Sequence, residues 1–450
     1  MKITVVILAA GQGTRMHSNT PKVLHLLAGQ PLIRYSLQAA AGVGTEVPVV
    51  VIGHESEQVR QMVGKDARFV VQDPQLGTGH AVRAAESLLA GQTDLVLVIS
   101  ADMPLLSGDT LRRMVSVQQA NPGPMTMLTI LSDDSHGFGR VIRAADGTIR
   151  EIVEEAQAAP EQLAMRELNV GAYCFQASWL WNALKRVPLS PKGEYYLTDT
   201  VGLASADGLP VQAFALEDDG EALGINTRIH LAEAESILRQ RINTKHMLAG
   251  VTLMDPNSIY IQAGVRIGKD TIVWPNTYLR GKTTIGEGCT IGPNTIIEDT
   301  QIGNSCTVLA SVLEGALVED HVGMGPFCHL RKGAHLAKDV HMGNFGEVKD
   351  SYLGPGTKMG HFSYIGNAHI EADVNIGAGT ITCNFDGVNK NPTSIGAHAF
   401  IGSDTMLVAP VTIGEGAHTG AGSVVTHDVP PQDTVVGVPA RHLNKSGKSD

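Results

Sequence analysis

The stretch Ile267-Gly268-Lys269-Asp270-Thr271-Ile272-Val273-Trp274-Pro275-Asn276-Thr277-Tyr278-Leu279-Arg280-Gly281-Lys282-Thr283-Thr284-Ile285-Gly286-Glu287-Gly288-Cys289-Thr290-Ile291-Gly292-Pro293-Asn294-Thr295-Ile296-Ile297 decides the fold of the second half of the chain. An aliphatic residue recurs every sixth position, at Ile267, Val273, Leu279, Ile285, Ile291 and Ile297. Glycine follows it at Ile267, Ile285 and Ile291. A period of six fits neither a helix nor an isolated strand; it is the signature of a parallel β-helix. One aliphatic per six residues points inward, three faces close a triangular coil, and small residues take the corners. The phase slips by one at Ile302, continues at Val308, and returns at Ile370 and Ile376, then at Ile395, Ile401, Leu407, Ile413, Thr419 and Val425. The repeats predict a left-handed parallel β-helix over residues 249–450.

The stretch from Cys383 to Thr393 breaks that phase and is polar. Insertions in solenoids commonly form functional loops on one face. A surface bulge without function reads the same from these residues alone.

Upstream the pattern is different. Val5–Ala10, Val49–Ile52, Phe69–Val71 and Leu95–Ile99 are short apolar runs that read as buried parallel strands. Leu32–Ala41 and His80–Leu89 between them read as helices. Such alternation predicts a Rossmann-like α/β domain with a mostly parallel sheet, here over residues 1–226. From Thr227 to Leu248, Ile229, Ala232, Ala234, Ile237, Leu238 and Ile242 lie among charges, which predicts a linker helix capped by Asn226 or Thr227. About 20 helical residues span roughly 30 Å.

Composition narrows the function. At 450 residues the chain is too long for one ordinary core. Fifty residues are glycine, well above the roughly 7% of average usage, and only 4% are aromatic, which fits many tight turns around thin cores. A net charge of −11 argues against a nucleic-acid partner. The five cysteines are scattered, with no C-x-x-C pair, as expected of reduced thiols in a cytoplasm rather than of disulfides or a zinc site. The apolar N-terminal run stops at Gly11, so it reads as a first strand and not as a signal sequence, and no stretch is long enough to span a bilayer.

Leu8-Ala9-Ala10-Gly11-Gln12-Gly13-Thr14-Arg15-Met16 follows the first strand, at the end where open α/β sheets bind ligands. Backbone N–H groups in such a loop can cradle phosphate oxygens. Arg15 adds a forked cation, and Lys22, after Pro21, adds a point charge. An ordinary turn with solvated cations remains the plain alternative. In the second half, His361 lies in Gly360-His361-Phe362-Ser363-Tyr364, a stretch that reads as an interruption of the coil. Lys349 and Arg331 precede it by about one and two coils. Coils stack about 4.8 Å apart, so residues one coil apart share a surface. Two cations, a tyrosine and a histidine make a candidate site for an anionic sugar.

The first of these motifs, with Pro21-Lys22, resembles the sugar-1-phosphate nucleotidyltransferases. That resemblance implies that Leu8, Ala9, Ala10, Gly11, Gln72, Gly77 and Thr78 contact the nucleotide. It makes Asp102, in Ser100-Ala101-Asp102-Met103-Pro104, and Asn226, in Gly224-Ile225-Asn226-Thr227-Arg228, the ligands of Mg²⁺, and puts Gly139, Glu154 and Asn169 against the sugar. Locally, Asp102 and Asn226 read equally well as helix caps. The chemistry suits these residue types. A sugar phosphate oxygen attacks the α-phosphorus of a nucleoside triphosphate, and a hard cation with Arg and Lys neutralises the anionic reactants.

Nearly the whole chain resembles the bacterial family of bifunctional N-acetylglucosamine-1-phosphate uridylyltransferases and glucosamine-1-phosphate N-acetyltransferases. The most specific part is Asn375-Ile376-Gly377-Ala378-Gly379-Thr380-Ile381-Thr382-Cys383-Asn384-Phe385-Asp386-Gly387. The resemblance implies UTP and acetyl-CoA as co-substrates and a cytoplasmic homotrimer with acetyltransferase sites between subunits. Its product would serve peptidoglycan and lipopolysaccharide synthesis. It makes His361 the general base on the glucosamine amine, a role an imidazole suits. Arg331, Lys349, Tyr364 and Lys390 would hold the sugar phosphate, Asn375 and Asn384 would orient sugar or cofactor, and Ala378, Phe385, Ser403 and Ala421 would line the acetyl-CoA groove. Three positions depart from the family pattern. Ala101 replaces a glycine, Phe385 replaces a tyrosine, and Gly437 stands where an arginine is expected, with Arg441 four residues further on. Other readings are a single-activity pyrophosphorylase with a structural β-helix, or a regulatory subunit. The His361 cluster counts against the first, and retention of Arg15, Lys22, Asp102 and Asn226 counts against the second.

Overall fold

The computed structural model describes residues 1–53, 56–134 and 137–442. The chain forms two compact units, Met1–Leu238 and Arg239–Asp450. The division falls inside the helix Arg228–Leu248.

The first unit is built on one mixed sheet. Its strands are β1 (Ile3–Leu8), β2 (Val49–Gly53), β3 (Arg68–Gln72), β4 (Leu95–Ser100), β5 (Met125–Leu131), β6 (Arg140–Arg143), β7 (Ile149–Val153), β8 (Glu167–Gln176) and β9 (Val211–Ala215). They run in the order β9-β5-β8-β4-β1-β2-β3, and β6 pairs with β8 and β7. β1 is parallel to both β2 and β4, whereas β8 is antiparallel to its neighbours β4 and β5. Strict alternation makes two cores. Val5, Ile7, Val50, Ile52, Leu97 and Ile99 pack one face against Ile33, Leu37, Leu111 and Met114 of the helices Leu32–Ala41 and Gly108–Ala120. Val6, Val49, Val51, Val96 and Val98 pack the other against Ala81, Val82, Leu180 and Leu184. Burial on both faces is why these strands read as continuous apolar runs. The predicted helix over 80–89 is broken at Ala85 into Thr78–Ala84 and Glu86–Leu89.

From β1 the sheet extends to β2 on one side and β4 on the other. Crevices at such a switch point open above the strands' C-terminal ends. The loop after Leu8 and the turn after Ser100 therefore face each other, and the Ala101 N–H donates to Leu8 O at 3.0 Å. Ala101 is wholly buried within the first of the two cores, so its methyl group has a place to go.

The second unit is a parallel β-helix with three sheets as faces, parallel throughout except for the terminal strand Arg441–His442, which pairs antiparallel. Each inward aliphatic sits over its counterpart one coil on: Ile267 over Ile285, Val273 over Ile291, Leu279 over Ile297. Fully burying one such side chain stabilises by roughly 1.5–3 kcal/mol, and an acidic substitution at Ile297 would put an unpaired charge in that stack. The coil does not lapse between Val308 and Ile370. Leu313, Val318, Met324, Leu330, Leu336, Met342, Val348, Leu353, Met359 and Ile365 continue it. Nor does the His361 segment interrupt it: His361 lies at a corner between the strands Lys358–Met359 and Ser363–Gly366. Corners are not reserved for small residues, since Phe327, Phe345 and His321 adopt left-handed backbone there. The polar insertion is accommodated in one coil, where Ile370 pairs with Ile395, 25 positions on.

The helix Arg228–Leu248 starts at Thr227, whose Oγ1 accepts the His230 N–H at 3.2 Å. All five cysteines are free. No helix among the described residues is long and apolar enough to cross a membrane.

Candidate functional sites

In the first unit four side chains from three distant segments converge. Lys22 Nζ lies 2.5 Å from Asp102 Oδ2 and 3.2 Å from Asn226 Oδ1. Arg15 Nη2 donates to the same Asn226 oxygen at 3.0 Å. Asp102 is placed by the turn after β4, and its carbonyl accepts the Ile225 N–H at 2.8 Å, which brings Asn226 alongside. Gly13 makes the approach of Lys22 possible. Its φ is +62°, and a Cβ there would stand 2.6 Å from Lys22 Cβ. With their side chains only 11% and 21% exposed, Lys22 and Asp102 are largely shielded from screening by salt.

The residues expected to contact a nucleotide lie on the neighbouring loop. Gln72 is buried beneath the loop, and its Nε2 donates to Gly77 O at 2.9 Å and approaches His80 Nδ1 at 3.3 Å. Burial first, then Arg83, holds His80 below the usual imidazole range. Thr78 Oγ1 accepts the Leu197 N–H at 3.0 Å. Gln75, which the sequence did not single out, donates to Ala10 O at 2.7 Å and fixes the end of the first loop.

Gly139, Glu154 and Asn169 also come together. The Asn169 N–H donates to Gly139 O at 2.9 Å, and a Cβ on Gly139 would stand 3.7 Å from Glu154 Oε2. Tyr173 donates its hydroxyl to Asn169 Oδ1 at 3.0 Å, and its burial pushes the phenol well above its ordinary range. Thr198 donates to Glu154 Oε1 at 2.9 Å, a contact with no signal in the sequence.

In the second unit one corner carries His361, Ala378, Ser403 and Ala421 in four successive turns. Gly379 N donates to Phe362 O, Asp404 N to Ala378 O and Gly422 N to Ser403 O, at 2.6, 2.6 and 2.8 Å. His361 is exposed there. Asn375 lies on the strand just before this corner, in register with Lys358 and Phe400. The adjoining face carries Tyr364, in register with Glu347. Its far corner carries cations: Arg331 bonds Glu347 at 2.9 Å, and Lys390 first, then Arg331, hold the Lys349 ammonium below the ordinary amine range. Crowded cations of this kind are an anion-seeking arrangement. Asn384 Nδ2 donates to Asn367 Oδ1 at 2.7 Å, beside Tyr364 and Gly366. The insertion itself is a hairpin. Phe385 bridges to Lys390, and Asp386 accepts the Val388 and Asn389 N–H groups at 2.8 and 2.6 Å, which with Asn391 holds its carboxyl below the usual range. Gly437 has a φ of +94°, strained for an arginine, whereas Arg441 lies on the terminal strand Arg441–His442.

The chain matches the family described as MobA-like NTP transferase domain over residues 5–169. It matches the bacterial transferase hexapeptide family, of six repeats, over 264–299 and 392–427. It is 47% identical to the bifunctional protein GlmU of Heliobacterium modesticaldum, covering 95% of this chain and 94% of that one. It is 45% identical to the GlmU of Trichlorobacter lovleyi, covering 98% and 97%, and 42% identical to that of a Geobacillus species, covering 100% and 98%. The chain belongs to the GlmU family. As a GlmU family member it is a bifunctional transferase, with a nucleotidyltransferase domain and a hexapeptide acyltransferase domain. The first match includes Arg15, Lys22 and Asp102, and the two hexapeptide matches lie on either side of His361.

Proposed function

We propose that this GlmU family protein makes UDP-N-acetylglucosamine by two separate transfers. Residues 249–450 move an acetyl group from acetyl-CoA to glucosamine-1-phosphate, and residues 1–226 join the product to UTP, with 227–248 as the linker. The observation that carries this reading is that each unit holds its own cluster of cations and a polar reactive group: Arg15 and Lys22 with Asp102 in one, and in the other Arg331, Lys349 and Lys390 at the far corner of the face that His361 borders.

In the acetyl transfer the glucosamine amine attacks the thioester carbon of acetyl-CoA. A C–N bond forms, the C–S bond breaks, and CoA leaves as the thiol. His361 takes the amine proton as general base. Arg331, Lys349, Tyr364 and Lys390 hold the sugar phosphate, with Asn375 and Asn384 orienting sugar or cofactor. Ala378, Phe385, Ser403 and Ala421 line the acetyl-CoA groove. Their corner and face continue beyond one coil, which suits a site completed by neighbours in a homotrimer.

In the uridylyl transfer a phosphate oxygen of N-acetylglucosamine-1-phosphate attacks the α-phosphorus of UTP, and pyrophosphate leaves. Leu8, Ala9, Ala10, Gly11, Gln72, Gly77 and Thr78 contact the nucleotide, and Gly139, Glu154 and Asn169 position the sugar. Arg15 and Lys22 neutralise the phosphates. The donors suit Mg²⁺: Asp102 Oδ2 and Asn226 Oδ1 are hard oxygens that both lie within 3.2 Å of one cationic nitrogen, so the pair already favours positive charge at one point. When bound there, Mg²⁺ would offset phosphate charge and align the attacking and leaving oxygens. A direct displacement requires no protein nucleophile. We place the protein in the cytoplasm, in keeping with its free cysteines.

The test supplies glucosamine-1-phosphate, acetyl-CoA, UTP and Mg²⁺ and follows two products. Release of both free thiol and pyrophosphate is the expected result. Pyrophosphate alone, and only with N-acetylglucosamine-1-phosphate supplied, would leave a single-activity pyrophosphorylase.

A further inference from the structure

Asn226 does not stand alone at the head of its helix. Its backbone N–H donates to His230 Nδ1 at 3.3 Å. Two residues on, Arg228 reaches away from the helix. Its Nε donates to Met16 O at 3.3 Å, and its Nη1 lies 3.2 Å from His25 Nδ1. His25 is buried, and because a guanidinium can only donate, the contact makes His25 Nδ1 the acceptor; burial, followed by the Arg228 charge, lowers the imidazole pKa in the same sense. One guanidinium thus ties together the turn that carries Arg15, the segment just after Lys22, and the residue pair after Asn226. From below, the Met16 side chain is wholly buried with Leu27, Tyr35, Leu105 and Ile225.

We infer that Arg228 is a positioning residue for uridylyl transfer, locking the Arg15 turn and Lys22 in register with Asn226 and so setting the cation-binding point between Asp102 and Asn226. The inference rests on the proposed nucleotidyl transfer. The forked geometry is the reason an arginine serves: one rigid planar group aims two separate nitrogens, Nε and Nη1, at acceptors on different segments, whereas a lysine would offer all its donors from a single nitrogen. Without it, Arg15 and Asn226 remain joined by their own 3.0 Å bond, but the turn is free to shift against the helix. Misplacement by about 1 Å can cost on the order of 100-fold in rate.

The experiment uses the full chain and its Arg228→Ala and Arg228→Lys variants. It measures pyrophosphate release against Mg²⁺ concentration, Mn²⁺ binding by electron paramagnetic resonance without substrates, CoA release, and melting temperature. For Arg228→Ala we expect a 10- to 100-fold lower uridylyl kcat, weaker Mn²⁺ binding, a higher Mg²⁺ requirement, and unchanged CoA release. Arg228→Lys should recover melting temperature more fully than rate, and added guanidinium ion should restore part of the rate of the alanine variant. Unaltered Mn²⁺ binding and Mg²⁺ dependence, or a rate that falls and recovers only in step with melting temperature, would overturn the inference. A parent chain that releases no pyrophosphate would instead overturn the proposed function.

Discussion

Lys22 Nζ sits between Asp102 Oδ2 and Asn226 Oδ1, at 2.5 and 3.2 Å, where it holds the same two oxygens that the proposed mechanism gives to a divalent cation. If a divalent cation takes those oxygens, the ammonium would compete with it for one point, and a bound triphosphate would offer the lysine other oxygens. Lys22→Met should bind Mn²⁺ more tightly than the parent when no nucleotide is present, because the competing charge is gone. The same variant should lose about 10²–10³ in uridylyl kcat, the usual cost of deleting one transition-state cation or donor. Electron paramagnetic resonance of free Mn²⁺ and a pyrophosphate assay separate the two effects. Equal Mn²⁺ affinity in parent and variant would show that Lys22 does not occupy the metal position.

Asp102→Ala should abolish uridylyl transfer and leave acetyl transfer intact. The carboxylate is the one charged oxygen donor assigned to the metal, and a methyl group cannot replace it. Folding should survive, because Asp102 lies outside the apolar cores and the backbone bond from Ile225 N to its carbonyl does not need the side chain. Near-normal UTP turnover at ordinary Mg²⁺ would refute the assignment.

The ends of the β-helix were legible as a strict period of six, and the middle was not. Between Ile285 and Val318 the coils shorten: Ile285 pairs with Ile302, and Ile302 with Val318, so aliphatic spacing wanders between five and six. Methionines 324, 342 and 359 then take inward positions that a search for Ile, Val and Leu passes over. In the first unit the parallel strands were legible because both faces are buried. The antiparallel β8, wedged between β4 and β5, gave no sequence sign of its direction, which depends on the hairpin-like return of the chain rather than on local pattern. Arg15 and Asn226 lie 211 positions apart, and only a whole-chain resemblance joined them. Thr198, Gln75 and Arg228 were missed because a hydroxyl, an amide or a cation on a polar segment carries no signal until folding supplies its partner.

Lys349 supplies a test by pH. Lys390 and Arg331 lower its pKa, so Lys349 loses its proton at a lower pH than an ordinary lysine would. A phosphate held by that ammonium is held fully below the lowered pKa and less well as pH rises through it. Lys390→Met removes the largest cause of the shift. It should move the alkaline limb of the KM profile for glucosamine-1-phosphate to higher pH, while raising KM at neutral pH through the loss of one cation. The measurement is KM against pH in both proteins, at constant ionic strength because exposed charges are screened by salt. An alkaline limb that stays in place, or moves to lower pH, would exclude Lys349 as the titrating group.

His361 gives the sharpest separation between chemistry and architecture. It is exposed at a corner, and the inward residues on either side of it, Met359 and Ile365, are wholly buried and carry the packing of that coil. Replacing the imidazole with a methyl group leaves those contacts and the backbone bond between Phe362 O and Gly379 N untouched. If the ring accepts the amine proton as the tetrahedral intermediate forms, its loss should lower the kcat for CoA release by roughly 10²–10⁴, the usual range for a general base. Melting temperature, sedimentation mass and uridylyl transfer should stay with the parent. If the ring instead served the corner, stability and assembly would fall together with activity. Measuring all of these on one preparation settles the matter. A folded variant whose CoA-release kcat stays within about threefold of the parent, far short of the expected loss, would remove His361 from the mechanism.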